Sequence, residues 1–152
     1  MTEIYMKISK SGLVIIKQYE GFSANPYICP AGKITIGYGH TILTGEKFPS
    51  GGISDKIAES LLKQDVAIAE RAINRLVIIK LLQNQFDALV SFVYNIGGKA
   101  FGKSTLLRLI NENKQEMAAA EFSKWIFAGG VVQNGLIRRR TEEKSLFIGT
   151  LQ

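Results

Sequence analysis

Hydrophobic and polar positions alternate with two different periods along this chain. Leu13, Val14, Ile15, Ile16 and Tyr19, preceded by Ser9 and Ser11 as helix caps, predict a first helix over about 11–19, with Gly21 placed to close it. The period then shortens. Pro26-Tyr27-Ile28 and Lys33-Ile34-Thr35-Ile36 read as short strands around Pro30-Ala31-Gly32, a small β-hairpin. Ser54, with Asp55 behind it, is an N-cap for a long amphipathic helix marked by Ile57, Leu61, Leu62, Val66, Ala69, Ile73 and Leu76. Beyond it the pattern stays helical. Phe86, Leu89, Val90, Val93 and Ile96 mark a helix ending at Gly97-Gly98, and Ser104 caps a short one through Leu106, Leu107 and Ile110. Ala118, Phe122, Trp125 and Ile126 predict another, stopped by Gly129-Gly130, before a basic final helix over about 136–147. The expected fold is a mainly helical α+β domain. A small β lobe (about 21–53) is joined by the long helix (about 54–76) to a larger helical lobe (11–20 plus 77–152), with a cleft between the lobes.

Composition narrows the class without choosing a function. With 152 residues, 46% hydrophobic and 21% charged, the chain suits one globular domain with a real core. A single cysteine excludes an intramolecular disulfide. The net charge of +6 favours an anionic partner, such as nucleic acid, anionic lipid or an acidic envelope polymer. The basic residues are scattered, and no motif interleaves them with aromatics, so nucleic acid is not expected. No export signal stands at the N-terminus, where the longest apolar run, Leu13 to Ile16, is too short for a membrane span.

The candidate chemistry gathers between Glu20 and His40. Glu20 falls where a buried helix meets the next element, and partial desolvation there favours the protonated form that a general acid needs. The hairpin would carry Cys29 and Thr35 on one sheet opposite that carboxylate, the disposition glycoside hydrolysis requires. His40 is the only histidine, and no Cys or Asp cluster surrounds it at ligand spacing, so no metal site is expected. Gly37 and Gly39 lack a phosphate-cradle fingerprint. They fit a tight turn that brings backbone close to a sugar.

Glu20-x8-Cys29-x5-Thr35, followed by Ile36-Gly37-Tyr38-Gly39-His40, resembles the signature of the phage-type lysozymes (endolysins, glycoside hydrolase family 24). That family usually shows Asp in the middle position and in some members Cys. The resemblance continues through Ala58-Glu59-x-Leu61-Leu62-x-x-Asp65-Val66 and Gln85-Phe86-Asp87-Ala88-Leu89-Val90-Ser91-Phe92 to Asn95 and Gly97. Further on it takes in Phe101, Ser104 to Leu107, Trp125, Gly129-Gly130 and Gly135-Leu136-x-x-Arg139-Arg140, covering about Ser11 to Phe147.

The resemblance implies a lysozyme-like fold and an endo-acting muramidase. Such an enzyme cuts the β-1,4 bond between N-acetylmuramic acid and N-acetylglucosamine in peptidoglycan, without a cofactor. It implies Glu20 as general acid, Cys29 in the place of a carboxylate that assists water or steadies the oxocarbenium-like transition state, and Thr35 as a positioner of water. It pairs His40 with Asp65, brings Arg139 to Glu20, and turns Tyr94, Asn95, Phe101 and Ser104 toward the saccharide. Phe101 and Ser104 read equally well as core and cap residues, Trp125 reads as core, and Arg138 as a solvated helix face. A monomer is implied, accumulating in the host cytoplasm and released through a separate holin onto the periplasmic wall. Two other readings stand beside it. One is a lytic transglycosylase acting on the same bond; the other is a non-catalytic basic module binding cell wall or nucleic acid.

Overall fold

The computed structural model describes residues 5–149. Helix α1 (Lys10–Glu20) starts at Ser9, whose hydroxyl accepts from the Gly12 N–H, and ends at Gly21 with φ +71°. The chain then forms a three-stranded antiparallel sheet in the order β1 (Ser23–Ile28), β2 (Ile34–Gly37), β3 (His40–Thr41). Tyr27 pairs with Thr35 and Ile28 with Ile34, while the ladder is irregular between Ser23 and Tyr27. The expected hairpin is present. The third strand, only two residues long, gives too short a pattern to be legible in advance.

Helix α2 (Asp55–Leu76) is capped by the Ser54 hydroxyl, which accepts from the Ile57 N–H. Its first half carries the sheet. An ideal Cβ on Gly37 would lie 3.2 Å from the Ala58 Cβ, and the Tyr38 hydroxyl donates to Asp55. Its second half packs on α3 (Gln83–Ile96) and α4 (Gly98–Gly102). Helix α3 is the hub of the helical body: Phe86, Asp87, Ala88, Leu89, Val90, Ser91, Phe92 and Val93 are all buried. A run buried on every side belongs to a helix surrounded by others, and α1, α2, α4 and α7 (Asn134–Ile148) all contact it.

Helices α5 (Thr105–Asn111) and α6 (Gln115–Glu121) complete the body. The predicted helix through Trp125 and Ile126 stops earlier than expected. After α6 the chain tightens into a 3₁₀ turn (Phe122–Lys124) and then a two-stranded hairpin, β4 (Phe127–Ala128) with β5 (Val131–Val132). Gly129 and Gly130 form the turn, with φ +59° and +78°. Positive φ at both central residues is the signature of a two-residue I′ turn, so this Gly-Gly pair turns a strand instead of ending a helix. No helix among the described residues is long and apolar enough to cross a membrane.

Candidate active site

Glu20 is the last residue of α1, and its side chain retains only 22% of its exposure. It borders a groove of about 1260 Å³ built from four separated stretches. These are the end of α1 (Gln18 to Glu20), the hairpin at Pro30, the end of α3 at Asn95, and the segment from Lys124 into α7. The two carboxylate oxygens have different neighbours. Oε1 accepts from Arg139 Nη1 at 2.9 Å. Oε2 lies over Gly39, where an ideal Cβ would come within 2.9 Å of it. Gly39 also has φ +84°, so both the turn between β2 and β3 and the room for the carboxylate depend on a missing side chain.

Because a guanidinium only donates, the oxygen facing Arg139 cannot carry a proton along that contact. A proton on Glu20 therefore belongs on Oε2. Arg139 itself is buried and shared: Nη2 donates to the Ser91 carbonyl at 3.0 Å and Nε to Glu143 Oε2 at 3.3 Å. Glu143 is wholly buried, accepts from Ser91 Oγ at 2.6 Å, and stands 2.8 Å from Arg140 Nε. Arg140 donates to Asn95 Oδ1 at 2.8 Å and stacks over Phe92. Burial pushes the Glu143 carboxyl up and the Arg140 guanidinium down, each opposed by the other's charge. One chain of contacts thus runs Glu20–Arg139–Glu143–Arg140–Asn95, from the groove through the interior and back to it. Glu143 and Ser91 were not singled out as site residues. A Glu three and four residues after an Arg-Arg pair on one helix was the available signal.

Cys29 sits half-buried in the hairpin turn, where its N–H donates to the Lys33 carbonyl at 2.9 Å. The Lys33 backbone and then the Thr35 hydroxyl stabilise its thiolate, which lowers the thiol below its ordinary range. Thr35 is buried, and its hydroxyl also reaches the Lys33 carbonyl at 3.0 Å. Pro30, the residue after Cys29, supplies the hairpin's share of the groove lining.

His40 is buried between two carboxylates, Nδ1 at 2.8 Å from Asp65 Oδ2 and Nε2 at 2.9 Å from Glu46 Oε1. Asp65 belongs to α2, while Glu46 lies in the loop after β3 and also accepts from the Leu43 N–H. Burial works against the imidazolium, but the Glu46 and Asp65 contacts together win and raise His40 above its ordinary value. Among the described residues, no three His, Cys, Asp or Glu side chains converge as a metal site would require.

The four expected saccharide contacts divide. Asn95 is exposed on the groove. Tyr94 is half-buried beneath Gly39, its hydroxyl turned to the Tyr38 carbonyl at 3.4 Å, and burial followed by the Glu20 charge raises it. Phe101 and Ser104 are corrections. Phe101 is wholly enclosed in the core, and the Ser104 hydroxyl is committed to the Phe101 carbonyl and the Leu107 N–H, capping α5. Neither presents a free face to the groove. Trp125, expected in the core, packs its edge on Phe92 yet lines the groove as well.

A helical body, a small antiparallel sheet and a groove bordered by the end of the first helix define a lysozyme-type fold. The model of the family described as "Phage lysozyme" matches residues 17–143. The endolysin of Bacillus phage PZA is 43% identical over 144 residues, covering 93% of this chain and 55% of its own length. The endolysin of Salmonella phage P22 is 40% identical over 145 residues, covering 94% and 99%. The solved endolysin from Escherichia coli O157:H7 phage FAHEc1 superposes with a TM-score of 0.89 at 34% identity, covering 99% of this chain and 98% of that one. The chain belongs to the phage lysozyme family. It spans about half the length of the Bacillus phage endolysins it matches and nearly all of the P22 protein.

Proposed function

We propose that this domain is an endolysin-type muramidase. It hydrolyses the β-1,4 bond between N-acetylmuramic acid and N-acetylglucosamine in peptidoglycan and thereby lyses the bacterial host. Membership of the phage lysozyme family supports the reaction class. The observation that carries the mechanism is the split environment of Glu20, with Oε1 held by Arg139 and Oε2 lying over Gly39 without a cationic partner. In this reading Oε2 delivers its proton to the bridging sugar oxygen as the bond lengthens. Arg139, fixed by Glu143 and Ser91, keeps the carboxyl from rotating away.

On the other side of the sugar, Cys29 and Thr35 take the part of the second group. In this reading Cys29, whose thiol is lowered, assists the incoming water or steadies the oxocarbenium-like transition state, and the Thr35 hydroxyl orients that water. His40, held to Asp65, keeps the sheet fixed on α2 so that both sides of the cleft hold register. The domain arrangement proposed is one lysozyme-like unit acting as a monomer, with α2 as the connection between lobes and a holin as the route to the wall.

The test is turbidity loss of outer-membrane-permeabilised cells. Glu20→Gln should remove it while leaving the circular dichroism melt nearly unchanged. Retained lysis would remove Glu20 from the acid role.

A further inference from the structure

Among the described residues, three cationic side chains line the groove, and two of them are already matched. Lys124 pairs with Glu121, and Arg139 with Glu20 and Glu143. Arg138 is exposed on the groove wall of α7, and among the described residues its guanidinium has no carboxylate partner. Its natural partner would be Glu142, one helical turn further on. Glu142 instead meets the Tyr19 hydroxyl, which reaches across from α1 and donates to its Oε2. The same hydroxyl lies 3.3 Å from the Arg138 carbonyl, so Tyr19 sits against the backbone of Arg138 while holding one oxygen of Glu142. Burial and then the Glu142 bond raise the Tyr19 phenol to about 12, so it remains a donor at neutral pH. Gln133 and Gln18, which also line the groove, are neutral.

An unpaired guanidinium held at the edge of a binding groove is a site for a planar anion, and carboxylate is the matching chemistry. We propose that Arg138 is a specificity-determining residue that binds a carboxylate carried by the glycan strand, and that Tyr19 keeps it free by engaging Glu142. This rests on the muramidase reading, since the strand occupies the groove only if it is the substrate. The carboxylate has two sources on such a polymer: the lactyl group of the sugar, where no peptide caps it, or the stem peptide.

The experiment compares wild type and Arg138→Gln on soluble glycan strands in three forms: intact, with all carboxyls amidated by carbodiimide and ammonia, and stripped of peptide by an amidase. On intact strands Arg138→Gln should raise KM by about three- to tenfold, the range of a partly exposed charge contact. The ratio of variant to wild-type KM should fall toward one on amidated strands and in high salt. Because the lactyl carboxyl is free only where peptide is absent, dependence that disappears on stripped strands assigns the contact to the stem peptide, and dependence that persists there assigns it to the lactyl carboxylate of peptide-free sugars. Tyr19→Phe should move KM the same way on intact strands, and adding Glu142→Gln should bring it back. Equal ratios on intact and amidated strands, or no rise on intact ones, overturn the proposal, as does a Tyr19→Phe effect that Glu142→Gln leaves untouched. Failure of wild type to cut any of the three forms would instead remove the muramidase reading itself.

Discussion

Cys29 and Thr35 are the residues whose chemistry is least dictated by their type. A thiol in water is mostly protonated at neutral pH, and a threonine on a strand is ordinarily a packing residue. In the hairpin turn the Lys33 backbone and the Thr35 hydroxyl both stabilise the sulfur in its charged form. The Thr35 proton is contested, because the Lys33 carbonyl at 3.0 Å is an alternative acceptor. Thr35→Val should therefore remove the one side-chain contact among those that stabilise the thiolate. The pH midpoint of Cys29 alkylation by iodoacetamide should move upward toward the ordinary thiol value. An unchanged midpoint would mean that the backbone contacts of the turn alone set the thiol. Sequence spacing could name this pair, because the turn that brings them together is local. It could not show that Phe101 is enclosed, since burial of a ring on α4 depends on helices far away in the chain.

Between elements, the tie that matters most is His40 on β3 with Asp65 on α2 and Glu46 in the following loop. Both ring nitrogens face carboxylates, and an imidazole can donate from both only when it is charged. Asp65 is pushed up by burial and pulled back by His40, whereas Glu46 is held down first by the Leu43 N–H and then by His40. The sign follows from linkage. A histidine raised in the fold adds stability that is full below its unfolded value of about 6.5 and is lost as pH rises through the higher folded value. The thermal advantage of wild type over His40→Asn should thus shrink as pH rises from about 6.5 through the raised folded value. A constant advantage over that window would remove the charged form from the account. The His40–Asp65 pair was available from the family pattern; Glu46 was not, since the loop that returns it to His40 has no periodic signal. The same limit explains the 3₁₀ turn and second hairpin. Apolar residues at 118, 122, 125 and 126 mimic a helix, and only Gly129-Gly130 marks the reversal.

Across the whole molecule, the groove is a product of topology. Its walls come from α1, the first hairpin, the end of α3 and the segment running into α7, and only α1 and the hairpin are near neighbours in the chain. Local pattern therefore made the longer helices, the first hairpin and the Glu20-to-His40 signature legible. The interior path through Ser91, Glu143 and Arg140 was not legible, because a charged residue on a basic helix reads as solvated until that helix is packed against α3. Burying such a group is tolerable only because each charge meets another, and truncating one partner of a buried pair costs about 3–5 kcal/mol. The stability invested there fixes the guanidinium on which Glu20 rests. The most direct test of the account is mass spectrometry of the muropeptides released from purified peptidoglycan by the wild-type protein. Hydrolysis with Glu20 as acid predicts reducing N-acetylmuramic acid ends that have gained one water per cut. Anhydro-muramyl ends, or no released glycan from a folded protein, would contradict it.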